Sequence, residues 1–501
     1  MIFNPVYEKI NALSVKKGET VQTVVENTFA LKSAGEVVKI DAKSRITSVD
    51  IADGYARAEG VVSYNVLYID LQGALTCENF SASFSAKSPS GVKSGKVNAH
   101  SVAVDTGVSA ILGEEVKIAS VIETLFTFRD CENVVALSTS SEGFYVKDAH
   151  ESYVECKRFD KAKTEYSLTE KTLLDDVVFA RATCVINKRS AGVENVSVEG
   201  EVILEAIGTR NGEVSTHTIA MPFSESFECD GASYGDTVVA DVEVTFCDGV
   251  VISESEGNKL DGVVRCEFDF AVYVEREFLS VTDVFSVKKQ LLPTVKSHNV
   301  CEKISNFTIL ERADGNVKLG DNMPACDVIL SANAFDVTIN SIKSEEGSVK
   351  VEGVVSGRVI YSCASPDKTV STYVVAPFSF SALVPLNGEE ETIAKASVTA
   401  ISCRVRRGNE IDIKADISVS VTAFKNKEIA VISEIVEGED LVVPTSAFSV
   451  FVSEGGESLW EIASVLGVSP DSVVEQNPRL QFPTAKGERI TVYRALDSRK
   501  I

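Results

Sequence analysis

The sequence predicts a mainly β protein: three tandem β-sandwich or barrel-like repeat domains followed by a small module of strand, helix, helix and strand. Three observations carry that prediction. A strand resembling Val-Glu-Gly recurs three times, apolar and polar residues alternate over long stretches, and a helical period takes over only after about residue 446. The length of 501 residues agrees, because one core usually serves roughly 100–200 residues.

The first expected unit spans residues 1–155. It holds Arg57-Ala58-Glu59-Gly60-Val61-Val62, running on to Val66-Leu67-Tyr68, and then Phe80-Ser81-Ala82-Ser83-Phe84. The second, 156–302, repeats this as Ser197-Val198-Glu199-Gly200-Glu201-Val202 and Phe223-Ser224-Glu225-Ser226-Phe227. The third, 303–445, has Lys350-Val351-Glu352-Gly353-Val354-Val355, Val359-Ile360-Tyr361 and Phe378-Ser379-Phe380-Ser381. Aligned on Phe80, Phe223 and Phe378, the Glu-to-Phe gaps are 21, 24 and 26 residues, and the three Glu lie 140 and 153 residues apart. Differences of that size belong to loops.

Within the units the period is two. Ile411, Ile413, Ala415, Ile417, Val419, Val421 and Ala423 alternate with mostly polar neighbours, which sets one apolar row against a core. Val116–Phe128 and Val264–Val274 are the matching stretches. Asp248-Gly249, Asp314-Gly315 and Arg407-Gly408-Asn409 read as turns between strands. Strand order stays open. The recurring Glu-Gly pair has two readings: a close backbone approach at Gly with Glu on the solvent face, or three equivalent carboxylates with a function. The first is favoured, and Tyr64, Tyr68 and Tyr361 read likewise as packing residues.

The last unit, 446–501, differs in kind. Ser449–Ser453 alternates as a short strand, and Gly455-Gly456 turns the chain. Ser458 and Glu461 form a capping box, in which hydroxyl and carboxylate satisfy free amides at a helix start. Leu459, Ile462, Ala463 and Leu466 then give one apolar face, and Gly467 supplies a left-handed stop. Ser469-Pro470 opens a second helix that ends near Asn477-Pro478, and Arg489–Tyr493 closes with a strand.

These residues resemble the LysM domain, a βααβ module. The matches are Gly456, Leu459, Trp460, Ile462, Ala463, Gly467, Val468, Ser469, Asn477, Pro478, Leu480 and Gly487, in order and spacing across the whole module. Glu457 and Ser458 depart from the family's usual Asp and Thr. The resemblance implies binding of N-acetylglucosamine polymers such as peptidoglycan or chitin. It places the ligand in a shallow groove lined by Gly456, Glu457, Ser458, Leu459, Asn477, Pro478, Arg479 and Leu480. The plainer alternatives stand beside it: Ser458 caps a helix, Trp460 packs, Pro478 ends a helix, and Arg479 meets a carboxylate on a protein partner.

Composition removes several function classes. Lys+Arg 49 against Asp+Glu 73 gives a net charge of −24, which repels phosphate backbones, and Arg404, Arg406 and Arg407 form only a short basic group. No nucleic-acid partner is expected. The start, Met1-Ile2-Phe3-Asn4-Pro5, has neither a basic n-region nor an apolar stretch, so no signal peptide is read, and no run is long enough for a membrane span. Eleven scattered cysteines without a CxxC read as mostly buried small thiols in a reducing compartment. GxGxxG, Walker-type, HExxH and GxSxG patterns are absent, and the four histidines are not at metal-ligand spacing. The expectation is a protein with no catalytic residues, no metal and no cofactor. Triplication of one unit points to surface and valency.

With that terminal module, the three β units resemble the SPOCS domain of spore-forming clostridia, on the Val-Glu-Gly strand and overall architecture. The resemblance implies a non-enzymatic scaffold or adaptor in spore-coat assembly, made in the mother-cell cytoplasm and placed at the forespore surface. The terminal module would tether it to a spore-coat morphogenetic protein or to peptidoglycan. The alternative is a peptidoglycan- or chitin-binding cell-envelope protein with the β units as spacers.

Overall fold

The computed structural model describes residues 5–493 apart from 34, 91–95, 140–143, 256, 321–322, 365–366, 408 and 442–446. The described residues are mainly β, with two short helices, and neither helix is long and apolar enough to cross a membrane. The first eighteen strands fall into three sets with one recurring topology. In the first set, β1 (Val6–Ala30), β6 (Glu115–Thr139) and β5 (Lys96–Leu112) form one antiparallel sheet in the order β1-β6-β5. In the same set, β2 (Gly35–Ala52), β3 (Tyr55–Asp70) and β4 (Leu75–Pro89) form a second. The second set repeats this. Its sheets are β7 (Phe144–Lys171), β12 (Gly257–Ser286) and β11 (Thr237–Glu254), then β8 (Asp176–Gly192), β9 (Asn195–Arg210) and β10 (Glu213–Glu228). In the third, β13 (Lys289–Lys318), β18 (Glu410–Asp440) and β17 (Glu391–Arg406) pair in that order. They accompany β14 (Val328–Ser331), β15 (Asp336–Ala364) and β16 (Asp367–Asn387).

The long period-two stretches lie in β6, β12 and β18, the central strand of the sheet that joins the first and last strands of each set. Ile411, Ile413, Ala415, Ile417, Val419, Val421 and Ala423 are all buried. The strand pairing divides the chain elsewhere than the repeat spacing predicts. Residues 155 and 156 lie inside β7 and residues 302 and 303 inside β13, and each strand pairs with the last strand of its own set. The Val-Glu-Gly motif lies on a strand in the middle of each set (β3, β9 and β15), so its recurrence fixes a period and leaves the phase free. The 445/446 boundary falls where residues 442–446 lie outside the described ones.

Two expected turns are also corrected. Asp248-Gly249 sits within β11 and Asp314-Gly315 within β13. A Cβ on Gly315 would lie 2.6 Å from Ala376 Cβ, so that glycine permits a close approach between sheets. Tight hairpins lie instead at positions such as Asp53-Gly54 and Asn211-Gly212, where both residues have positive φ (52° and 77°, 53° and 82°) and match a type I′ turn. Arg407 does adopt a left-handed φ of 57°; Gly408 lies outside the described residues.

The recurring glycines have a packing cause. Gly60, Gly200 and Gly353 lie opposite Phe84, Phe223 and Phe378 on the next strand. A Cβ on any of them would come within 2.7 Å of the facing ring's Cζ. The first repeat is therefore anchored on Phe84 rather than Phe80, and the Glu-to-Phe gaps become 25, 24 and 26. The neighbouring carboxylates, exposed at Glu59 and Glu199 and half-buried at Glu352, pair locally: Glu59 with Arg57 at 2.9 Å, Glu352 with Lys350 at 2.8 Å, and Glu199 with Lys188 at 3.5 Å. Tyr64, Tyr68 and Tyr361 are fully buried.

The three sets share cores. Leu67, Ile207 and Ile360, each eight residues after its recurrent Glu, meet in one cluster with Val38, Phe179 and Ala334. A second cluster joins Ile10 and Val134 of the first set, Tyr153 and Phe278 of the second, and Val300 and Val431 of the third. Two further clusters, around Tyr273 with Phe424 and around Leu137 with Val281 and Ile432, also draw on all three. The ribbons β1–β6, β7–β12 and β13–β18 thus pack about a common pseudo-threefold axis. Burying one such aliphatic side chain contributes about 1.5–3 kcal/mol, so the sets are bound into one body.

Near that axis the sets differ in charge. Arg181 of the second set reaches Asp41 of the first and Asp336 of the third, both at 2.5 Å. Lys39 donates to the Asn333 carbonyl, and Lys43 to the Ala182 carbonyl at 2.8 Å. Burial would raise the Asp41 pKa, but Arg181, Lys43 and Lys39 outweigh it and hold the carboxyl below its usual range.

Candidate functional site

The C-terminal segment folds as β19 (Phe448–Val452), α1 (Leu459–Leu466), α2 (Pro470–Gln476) and β20 (Arg489–Tyr493), with β19 and β20 antiparallel. Local chemistry sets each boundary. The Ser458 hydroxyl accepts from the Glu461 N–H while the Glu461 carboxylate accepts from the Ser458 N–H at 2.8 Å, and Gly467 ends α1 at φ 62°, ψ 44°. Ser469 caps α2, with Pro470 in its first turn. Ile462, Ala463, Leu466, Val468, Val473, Ile490 and Val492 form the core.

Two loops expected to flank the groove are tied together through Thr484. The Gly456 N–H donates to the Thr484 carbonyl at 2.8 Å, and the Thr484 N–H to the Glu457 carbonyl at 3.0 Å. The Glu457 carboxylate accepts from the Ser453 hydroxyl at 2.6 Å, the Glu454 N–H at 2.7 Å, the Gly455 N–H and the Thr484 hydroxyl. Those bonds, that from Ser453 first, hold its pKa down to about 2.

Asn477 is equally committed. Its amide nitrogen donates to the Val473 and Thr491 carbonyls, both at 2.9 Å, and its oxygen accepts from the Thr491 N–H at 3.0 Å, fastening the end of α2 to β20. Leu459 and Leu480 pack against the same core and stay partly exposed. Gly456, Pro478 and Arg479 are exposed, and Arg479 has no ion pair among the described residues. The candidate surface therefore offers backbone groups, two apolar side chains and the exposed Arg479 guanidinium; the side chains of Glu457, Ser458 and Asn477 serve the module itself. Sequence reasoning missed Ser453 and Thr484, which make the loop contact. A hydroxyl at the end of a strand carries no signal distinguishing it from a solvated one.

Other polar groups gather on the pseudo-threefold axis, around a cavity of about 550 Å³. His100 on β5, Asp241 on β11 and Lys395 on β17 line it, one from each set, and Lys395 pairs with Asp241 at 2.8 Å. His100 is exposed to the cavity yet enclosed by the protein around it; that enclosure and then the Lys395 charge push its pKa down to about 3, leaving a neutral imidazole facing the cavity. Among the described residues no group of three or more His, Cys, Asp or Glu is placed to hold a metal ion, and all eleven cysteines are free thiols.

Comparison with known proteins finds no match to the chain among family models, curated proteins or solved structures.

Proposed function

We propose that this protein is a non-enzymatic scaffold of spore-coat or spore-envelope assembly, in which the three β sets offer protein-binding surfaces and the terminal LysM-like module is the tether. The observation that carries the reading is the set of cores shared by all three repeats. Cores of this kind hold three related surfaces in fixed relation, so several modest contacts act on one rigid chain and raise avidity through effective concentration. The tether's target is a morphogenetic protein or an N-acetylglucosamine-containing glycan. The Arg479 guanidinium, without an ion pair among the described residues, favours a target with carboxylates, and peptidoglycan peptides and acidic proteins both supply them. The groove in this reading comprises Gly456, Leu459, Pro478, Arg479 and Leu480, with Glu457, Ser458 and Asn477 shaping it.

Imaging a fluorescent fusion through sporulation tests the proposal. A ring around the forespore is expected. A diffuse signal throughout sporulation, or labelling of vegetative walls alone, would overturn it.

A further inference from the structure

The chain's single tryptophan lies in the terminal module and reaches out of it. Trp460 Nε1 donates to Asp283 Oδ2 at 2.8 Å. Its ring meets the Phe285 ring edge-on, with centroids 4.8 Å apart. Phe285 in turn packs against the module's own core and lies 5.1 Å from the Tyr145 ring. Asp283, Phe285 and Tyr145 belong to one place, the tip of the β7–β12 ribbon, where Phe285 pairs with Tyr145. Lys147, also at that tip, adds its charge to the Ser458 bonds that keep the Glu461 carboxyl below its usual range. A hydrogen bond, a ring contact, a shared apolar core and a charge contact thus coincide.

We propose that Trp460 is the docking residue that fixes the terminal module on the tip of the β7–β12 ribbon, so that a partner meets a composite surface of groove and ribbon tip held at one orientation to the three-set body. The indole is suited to this work because it joins a large apolar face to one N–H donor, which the Asp283 carboxylate accepts. Ser458 and Leu459, two of the groove residues, immediately precede it in the chain. The functional weight of the contact rests on the reading of the groove as a tether; the docking itself does not.

Time-resolved fluorescence anisotropy of the full chain tests it, since all tryptophan emission comes from Trp460. The wild-type indole should depolarise with the slow rotation of the whole 53.9 kDa body. Asp283→Ala, and more strongly Asp283→Ala with Phe285→Ala, should add a fast component from an independently tumbling module, with emission shifted to the red. A fast module component already present in the wild type would overturn the proposal, as would slow rotation preserved in the double variant. Asp283 is exposed, so its single variant guards against loss of folding at Phe285. Arg479→Glu should leave the anisotropy unchanged. A slowly rotating wild-type chain that binds no target would refute the tether reading alone.

Discussion

Gly200→Ala is the sharpest perturbation of the repeated strand. An ordinary Cβ contact lies at 3.4–4 Å, whereas a Cβ on Gly200 would stand 1.9 Å from the Val185 carbonyl oxygen and 2.7 Å from Phe223 Cζ. The ring can tilt, but the carbonyl belongs to the backbone of β8, where Val185 pairs with Glu201 and Ile186 with Gly200 just before a bulge between Ile186 and Lys188. Relief requires a backbone shift of about 1.5 Å, the difference between 3.4 and 1.9. Overpacking of this kind costs about 1–3 kcal/mol, and the backbone obstacle places Gly200→Ala at the upper end. Gly107→Ala is the control. Its Cβ would meet nothing within 4 Å at a φ open to any residue, and the lost chain freedom should raise stability by about 0.4–1 kcal/mol. Urea midpoints of the two variants should therefore move in opposite directions. Equal midpoints, or a Gly200→Ala chain as stable as wild type, would refute the claim that ring and carbonyl select glycine there.

The other predictions concern charge and the groove. Arg181→Met removes the partner of Asp41, which is only 2% exposed, and should cost about 3–5 kcal/mol in urea unfolding; a loss below 1 kcal/mol would show the axial ion pairs to be idle. His100 has a folded pKa of about 3 against 6.5 as a free side chain, so the unfolded chain binds the extra proton between those values and stability falls as pH drops from 6.5 towards 3. His100→Gln, which leaves Lys395 and Asp241 facing each other, should flatten that part of the pH–stability curve, and an unchanged slope would assign it elsewhere. Asn477→Ala should lower the melting temperature of the terminal module by breaking three hydrogen bonds, whereas Arg479→Glu should leave it unaltered and weaken capture of an acidic target. The reverse pattern would exchange their roles.

Much of the terminal module is legible because its signals are local. Ser458, Glu461, Gly467, Ser469 and Pro470 each act within one turn of their own position, and the structure uses the first four as caps or stop and Pro470 in the first turn of α2. The central strands are legible for the same reason, since period two is a property of a single strand. The phase of the repeat is not, because a Gly-Phe pair is fixed by the facing strand: Phe80 and Phe84 look alike until Gly60 is placed opposite one of them. The shared axis is harder still. Val66-Leu67-Tyr68 and Val359-Ile360-Tyr361 are buried on both faces, and such unbroken apolar runs were the available sign of a second covering layer. Lys39, Asp41 and Arg181 gave none, as a charge between apolar residues usually marks a solvent face. At the candidate groove, sequence could not tell that Glu457 and Asn477 spend their hydrogen bonds inside the module.

Chemical-shift mapping of the deuterated full chain, titrated separately with chitotetraose, solubilised spore-cortex fragments and a purified coat morphogenetic protein, tests the tether most directly. The account predicts that at least one target moves backbone resonances clustered at Gly456–Leu459 and Pro478–Leu480, and that Arg479→Glu reduces those shifts. Shifts confined to the β sets, or none with any of the three targets on a folded chain, would contradict it.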